Sequence, residues 1–275
     1  MQAEKAVKTE ELEDSVVSSV MQIIEPVYSS RYLFIGLDRD GTIVPYADHP
    51  EDATVDSELT ELLSALTKKP GVKVGIVSAR SIAQLRGDFD SKSLFLAGNY
   101  GMEISSPQGD VFIQPFALDA VLALKHVRDK LTTMMPSDSK AILEDHGYSL
   151  CLHWHLVPEE RMPEIRDSLA ELKRSFDGLM FTTLPTSYEV KPLTTWNKGE
   201  ALTQIFKTYQ QMLNNSFVLY AGDSIADEPA YSWVNNRSGV SVRVGPGGFE
   251  TCAKFQLKKL ETMRTLLREL AKLKR

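Results

Sequence analysis

Several short apolar runs end in polar residues able to carry chemistry, and this pattern constrains the chain more than any other. "YLFIGL" (32–37) leads into "DRDGT", "VKVGIV" (72–77) into "SAR", and "FVLYAG" (217–222) into "DSIAD". "LFLAG" (94–98) and "VSVRVG" (240–245) complete the set. Continuous apolar runs of this length suit strands buried on both faces, as in parallel sheets. Between the first two, Leu59, Leu62, Leu63 and Leu66 recur at helical spacing, after Asp56 or Thr54 as N-cap. Residues 197–213 and 250–272 also carry helical patterns. This alternation predicts an α/β fold, a doubly wound parallel sheet. Ligands bind such sheets beyond the carboxyl ends of the strands, where the polar endings collect.

The middle of the chain reads differently. A helix over "LDAVLALKHVRDKLTTMM" precedes a strand pair around "AILEDHGYSLCLHWHL", then a helix in "PEERMPEIRDSLAELKRSF" and a strand in "GLMFTTL". Tyr148, Leu150, Leu152 and Trp154 alternate with Ser149, Cys151, His153 and His155, as in an antiparallel strand covered on one side. The expected organisation is an N-terminal amphipathic helix over 1–30, a core of 31–106 and 187–275, and an inserted smaller α/β cap domain of 107–186. No repeat or flexible linker interrupts it.

A formal net charge of −6 argues against a nucleic-acid partner. No apolar stretch approaches the roughly 20 residues of a membrane helix. The N-terminus lacks the basic and apolar regions of a signal peptide. Cys151 and Cys252 have no metal-type spacing, and a reducing cytoplasmic setting is expected. Nothing in the sequence fixes the oligomeric state.

Asp38 and Asp40 stand at i and i+2, so an extended continuation of the strand points both to one side. Gly41 permits a tight turn behind them. Asp223 and Asp227 follow a later strand. Four converging acids raise one another's pKa unless a cation sits among them. Oxygen ligands beside a phosphate favour Mg²⁺. The remaining residues suit phosphoryl transfer. Asp38 can attack phosphorus, and Asp40 can protonate the leaving oxygen and then activate water. Ser78 and the backbone N–H groups of 39–42 can hold phosphate oxygens, and Lys198 in "WNKGEAL" adds positive charge.

These stretches resemble, in order, the motif set of the haloacid-dehalogenase superfamily: D-x-D-G-T at 38–42, the strand-end Ser78, Lys198, and G-D-x-x-x-D at 222–227. "LAGNYGMEI", "EDHGYSL", "EVKPLTTWNKGEA" and "VRVGPGGFETCA" are similar to motifs of the trehalose-phosphatase family. The resemblance implies a Mg²⁺-dependent phosphatase for trehalose 6-phosphate, with a small-molecule sugar phosphate as its partner. It implies Asp38 as nucleophile, Asp40 as acid/base and, through its carbonyl, metal ligand, Asp223 as metal ligand, and Asp227 as an outer acid of the metal group. Thr42 and Arg80 are expected to bind substrate, as are Glu144, His146 and Glu189, the last three at the sugar. The sequence departs from the family at His146, where a lysine is usual, at Tyr100, where a histidine is, and at His153–His155. These departures keep another glycosyl phosphate open as substrate. A non-catalytic sensor would be expected only if Asp38 or Asp40 were missing.

Simpler readings exist. Asp-Gly is a common turn pair, and Ser78 or Asp223 can be helix N-caps. His153 and His155 lack the further ligands a zinc site needs, so a solvated or hydrogen-bonded strand face is expected. "GPGG" (245–248) reads as a loop.

Overall fold

The computed structural model describes residues 17–135 and 138–273. Residues 17–28 form a helix, α1, whose Val20, Ile23, Ile24 and Val27 are buried at helical spacing. The expected N-terminal helix is thus seen over 17–28; residues 1–16 lie outside the described residues. Strand β1 (Leu33–Leu37), helix α2 (Ser57–Thr67), β2 (Val72–Val77), α3 (Ile82–Asp88), β3 (Phe95–Gly98), β4 (Glu103–Ser105) and β5 (Val111–Ile113) follow. Of the two caps expected for α2, Asp56 serves, accepting from the Leu59 N–H.

Next come α4 (Pro115–Asp119), α5 (Val121–Met134), β6 (Ile142–Asp145), β7 (Leu150–His153), α6 (Met162–Ser175), β8 (Leu179–Thr183) and β9 (Ser187–Pro192). The chain ends with α7 (Lys198–Thr208), α8 (Gln210–Leu213), β10 (Phe217–Gly222), α9 (Glu228–Asn235), β11 (Val240–Val244), β12 (Phe255–Leu257) and α10 (Leu260–Lys272).

The larger sheet has the order β12-β11-β10-β1-β2-β3-β4-β5, parallel from β12 to β3 and antiparallel beyond. Leu33, Ile35 and Leu37 of β1 face a core shared with α1, α2 and α10. Phe34 faces the opposite core, with α7 and α9. Helices therefore cover both faces, which is why the parallel strands read as unbroken apolar runs. Each fully buried leucine or isoleucine contributes roughly 1.5–3 kcal/mol.

The smaller sheet, β6-β7-β9-β8, is antiparallel, and its inner face packs under α5 and α6 through Leu150, Leu152, Val190, Leu131 and Leu169. Its limits differ from the expected 107–186. Residues 111–113 belong to the larger sheet, and 187–192 lie between β7 and β8 in the smaller one. Tyr188 and Val190 give the reason: they are buried with the small sheet's helices, a long-range partnership the local pattern does not reveal. The helix expected over 250–272 starts at Leu260, because Phe255–Leu257 alternates and extends the sheet beside β11. That over 197–213 divides at Tyr209, whose backbone leaves helical geometry.

Candidate active site

β1 and β10 are hydrogen-bonded neighbours, while α2 and α9, which follow them, lie on opposite faces. A crevice opens at such a switch of direction. Asp38 extends β1, its N–H donating to the Ala221 carbonyl at 2.9 Å, and Asp223 follows β10. The chain then turns rather than running on extended: the Arg39 carbonyl accepts from the Thr42, Ile43 and Val44 N–H groups at 3.3, 3.0 and 2.9 Å. Gly41 has φ +76°, and a Cβ there would stand 2.2 Å from Asp223 Oδ2, so the turn admits only glycine.

Carboxylate oxygens of Asp38, Asp223 and Asp227 lie within 4.8 Å of one another. Lys198, the first residue of α7, reaches them because Asn197 caps the helix, accepting from the Gly199 and Glu200 N–H groups. The ammonium lies 2.8 Å from Asp38 Oδ1 and 2.7 Å from Asp227 Oδ1. Asp227 is wholly buried and fully used. Its Oδ1 also accepts from the Tyr220 hydroxyl at 2.7 Å, and its Oδ2 from the Asp223 N–H, the Ser224 N–H and the Ser224 hydroxyl. This makes it a brace for the cluster.

Burial raises the Asp38 carboxyl well above its ordinary value, with Asp227 and Asp223 adding to it and Lys198 opposing. Burial and Asp227 push Asp223 up to about 6, against a hydrogen bond from Tyr46. Burial alone would lower the Lys198 ammonium, but Asp227 and Asp38 outweigh it and raise it. Asp223 Oδ1 and Thr42 Oγ1 are buried without a hydrogen-bond partner, a condition that costs about 1–3 kcal/mol per group. Clustered carboxylates with an orphaned oxygen suit a hard divalent cation. A cleft of about 260 Å³ lined by Gly41, Tyr46, Asp223 and Lys258 opens beside them.

Asp40 is the expected acid that does not join this cluster through its carboxylate. The turn at Arg39 carries its side chain to Arg80, which donates from Nε to Oδ2 at 2.9 Å and from Nη2 to Oδ1 at 3.0 Å, while Arg39 also donates to Oδ1. Two guanidinium groups make a more favourable partner than three nearby carboxylates. An acid/base role is compatible with this pairing, since catalytic hydrogen bonds often form only around the substrate. Arg39 is almost wholly buried and is tied as well to Asp88 and the Ala53 carbonyl. Ser78 is buried at the end of β2 and accepts from the Arg80 N–H; the N-cap of α3 is Ser81.

In the smaller sheet the cross-strand row Glu144–Cys151–Glu189–Thr182 puts both glutamates on the face opposite the apolar one. Glu144 Oε2 bonds His153 Nε2 at 2.7 Å. Burial pushes Glu144 up, but its bond to His153, with the charges of His153 and Arg80, outweighs it and holds the carboxyl below its ordinary value. Burial would lower His153, yet its bonds to Cys151 and Glu144 push it up to about 9. The His155 ring contacts the Asp48 carbonyl at 2.7 Å, so both histidines are hydrogen-bonded, as their strand suggested. Cys151 and Cys252 are free thiols.

Glu189 pairs with Lys191 at 2.9 Å, and the Lys191 ammonium lies 4.4 Å from the centre of the Tyr100 ring. Burial and then Glu189 raise the Tyr100 phenol well above its ordinary value. Asn99 and Tyr100 both have positive φ, 51° and 59°, an uncommon backbone for non-glycine residues. Asn99 links the two sheets: its amide donates to the His146 carbonyl at 2.9 Å and accepts from the Ser149 hydroxyl at 2.7 Å. Arg39, Tyr46 and Lys191 escaped the sequence reading, which singled out Tyr100 only as a departure from the family. Lys191 was within reach of it, standing two residues after Glu189 on one strand face; the others carry no local signal.

The profile of the trehalose-phosphatase family matches residues 36–259. A probable trehalose-phosphate phosphatase 3 of Oryza sativa subsp. japonica is 27% identical over 259 residues, spanning 88% of this chain and 70% of that protein. Trehalose 6-phosphate phosphatase RA3 of Zea mays is 26% identical, spanning 92% and 74%. Among solved structures, the C-terminal domain of trehalose-6-phosphate phosphatase from C. albicans superposes with a TM-score of 0.78 at 19% identity, over 93% of this chain and 97% of that one. A haloacid dehalogenase-like hydrolase from Bacteroides thetaiotaomicron gives 0.61 at 14%, over 87% and 98%. Among the described residues no helix is long and apolar enough to cross a membrane. The chain belongs to the trehalose-phosphatase family, has the haloacid-dehalogenase fold, and is a phosphoric monoester hydrolase.

Proposed function

We propose that the protein hydrolyses trehalose 6-phosphate to trehalose and phosphate through a covalent intermediate on Asp38. The observation that carries this reading is the buried contact of Lys198 with Asp38 beside Asp223 and Asp227. An Asp38 carboxylate oxygen attacks phosphorus as the bond to the sugar oxygen breaks. Asp40 gives that oxygen a proton, then takes one from the water that releases phosphate and restores Asp38. Lys198 holds Asp38 in place, and Ser78, Thr42 and the backbone N–H groups of the turn bind phosphate oxygens. Asp38, Asp223 and the Asp40 carbonyl would hold Mg²⁺, with Asp227 behind them, and the ion would neutralise phosphate charge when bound.

The smaller sheet acts as the cap that recognises the sugar through Glu144, His146 and Glu189. The names of the family and of its relatives support trehalose 6-phosphate as the substrate. Another glycosyl phosphate is the second reading, favoured by a buried imidazole at 146. Phosphate release from trehalose 6-phosphate, glucose 6-phosphate and an aryl phosphate, with chelator and with added Mg²⁺, tests both. Turnover should vanish in chelator and return with Mg²⁺, with trehalose 6-phosphate preferred. Full activity in excess chelator would remove the metal from the mechanism.

A further inference from the structure

We infer that Gln84 is a positioning residue that fixes His146 as its Nδ1–H tautomer, leaving Nε2 to accept a hydrogen bond from a sugar hydroxyl. The inference rests on the reading of the smaller sheet as the sugar-recognising surface.

Gln84 occupies the third position of α3 and forms a reciprocal capping box with Ser81. The Ser81 backbone N–H donates to the Gln84 side chain at 2.9 Å. A backbone N–H can only donate, so the atom it meets is the amide oxygen, Oε1. That same oxygen stands 2.9 Å from His146 Nδ1. An acceptor facing a ring nitrogen at this distance requires that nitrogen to carry the hydrogen. The proton on Nδ1 follows from α3's own capping.

In the neutral ring Nε2 then keeps its lone pair. Burial lowers the His146 pKa against the pull of Glu144, which favours the neutral form. Nε2 lies 3.9 Å from Glu144 Oε2, too far for a hydrogen bond, and that oxygen already accepts from His153. Two acceptors thus stand side by side with no hydrogen bond between them. Arg80, a charge that acts on both, is engaged with Asp40, and Glu189, which also acts on His146, is paired with Lys191. A hydroxyl brought against both donates to Nε2, and a ligand lacking that donor leaves Nε2 unmatched. A site built to bond a hydroxyl discriminates strongly against its absence.

Two variants separate capping from tautomer control. Gln84→Met removes both; Gln84→Glu keeps the capping box, since glutamate serves at this position, but places a carboxylate against His146 and draws a proton onto Nε2. Ring-nitrogen NMR of His146 in the whole protein, assigned with His146→Asn, should show hydrogen on Nδ1 alone in the wild type and on both nitrogens in Gln84→Glu. Thermal stability of Gln84→Glu should match the wild type. Its kcat/KM for the best sugar phosphate, divided by that for an aryl phosphate, should fall by roughly tenfold, the loss of one good hydrogen bond. Gln84→Met should lose both stability and this ratio. Hydrogen on Nε2 in the wild type, or an unchanged ratio in Gln84→Glu, would overturn the inference. If glucose 6-phosphate outperforms trehalose 6-phosphate, the substrate reading fails, while the tautomer and the ratio for the better sugar still decide the role of Gln84.

Discussion

Asp38 concentrates the chemistry of the site in one buried carboxylate held by Lys198. Asp38→Asn preserves size and hydrogen bonding but removes the nucleophile. Turnover of any phosphate ester should fall by at least roughly 10³-fold, read beside an unchanged circular-dichroism spectrum. A folded variant keeping a tenth of wild-type turnover would exclude the covalent step. Asp223 gives a prediction in pH. Its folded pKa of about 6 lies above the ordinary 3.8, so the metal-free folded state binds more protons than the unfolded chain between those values. The stability it contributes is present below the lower value and lost as pH rises through the upper one. Metal-free Asp223→Asn should therefore gain in Tm relative to wild type from about pH 4 to about pH 7, and saturating Mg²⁺ should cancel the gain. A Tm difference independent of pH would show that this carboxyl is not strained.

At the scale of elements, helix starts do much of the positioning. The N-cap of α7, Asn197, sets the height at which Lys198 enters the cluster. Asn197→Ala should cost about 1 kcal/mol, near 3 °C in Tm for a chain of this size, and weaken turnover through Lys198. Unchanged kinetics at the reduced stability would mean that packing alone places the lysine. The reading of elements succeeded where burial has a short period. The runs of β1, β2 and β10 were legible because nearly all of their residues are buried between helices on both faces. The start of α10 was not, because Phe255 and Leu257 gain their strand partner only when β11 is beside them. Ser187–Pro192 is the same case: its glutamate and lysine share a face that only β7 and β8 define.

At the scale of the molecule, Asn99, Gln84 and Asp48 of the larger unit bond His146 and His155 beside the smaller sheet and so tie the two together. Remote hydroxyl contacts raise catalysis only for substrates that carry the hydroxyls. Glu189→Ala should therefore reduce the preference for trehalose 6-phosphate over an aryl phosphate by roughly 10²-fold, measured as a ratio of kcat/KM. A proportionate loss on both substrates would assign Glu189 to the support of Lys191 and Tyr100 instead.

By itself the sequence determined the parallel strands, the order of the motifs and the identity of the acids at the strand ends. These follow from local periodicity and from chemistry confined to a few neighbouring residues. Tertiary structure decided that Asp227 braces the cluster while Asp40 turns to Arg80, that Tyr100 and Lys191 enter the small-sheet face, and that Gln84 meets His146. Each of these contacts joins residues far apart in the chain, and pairing, register and burial choose such partners only once the sheets have packed.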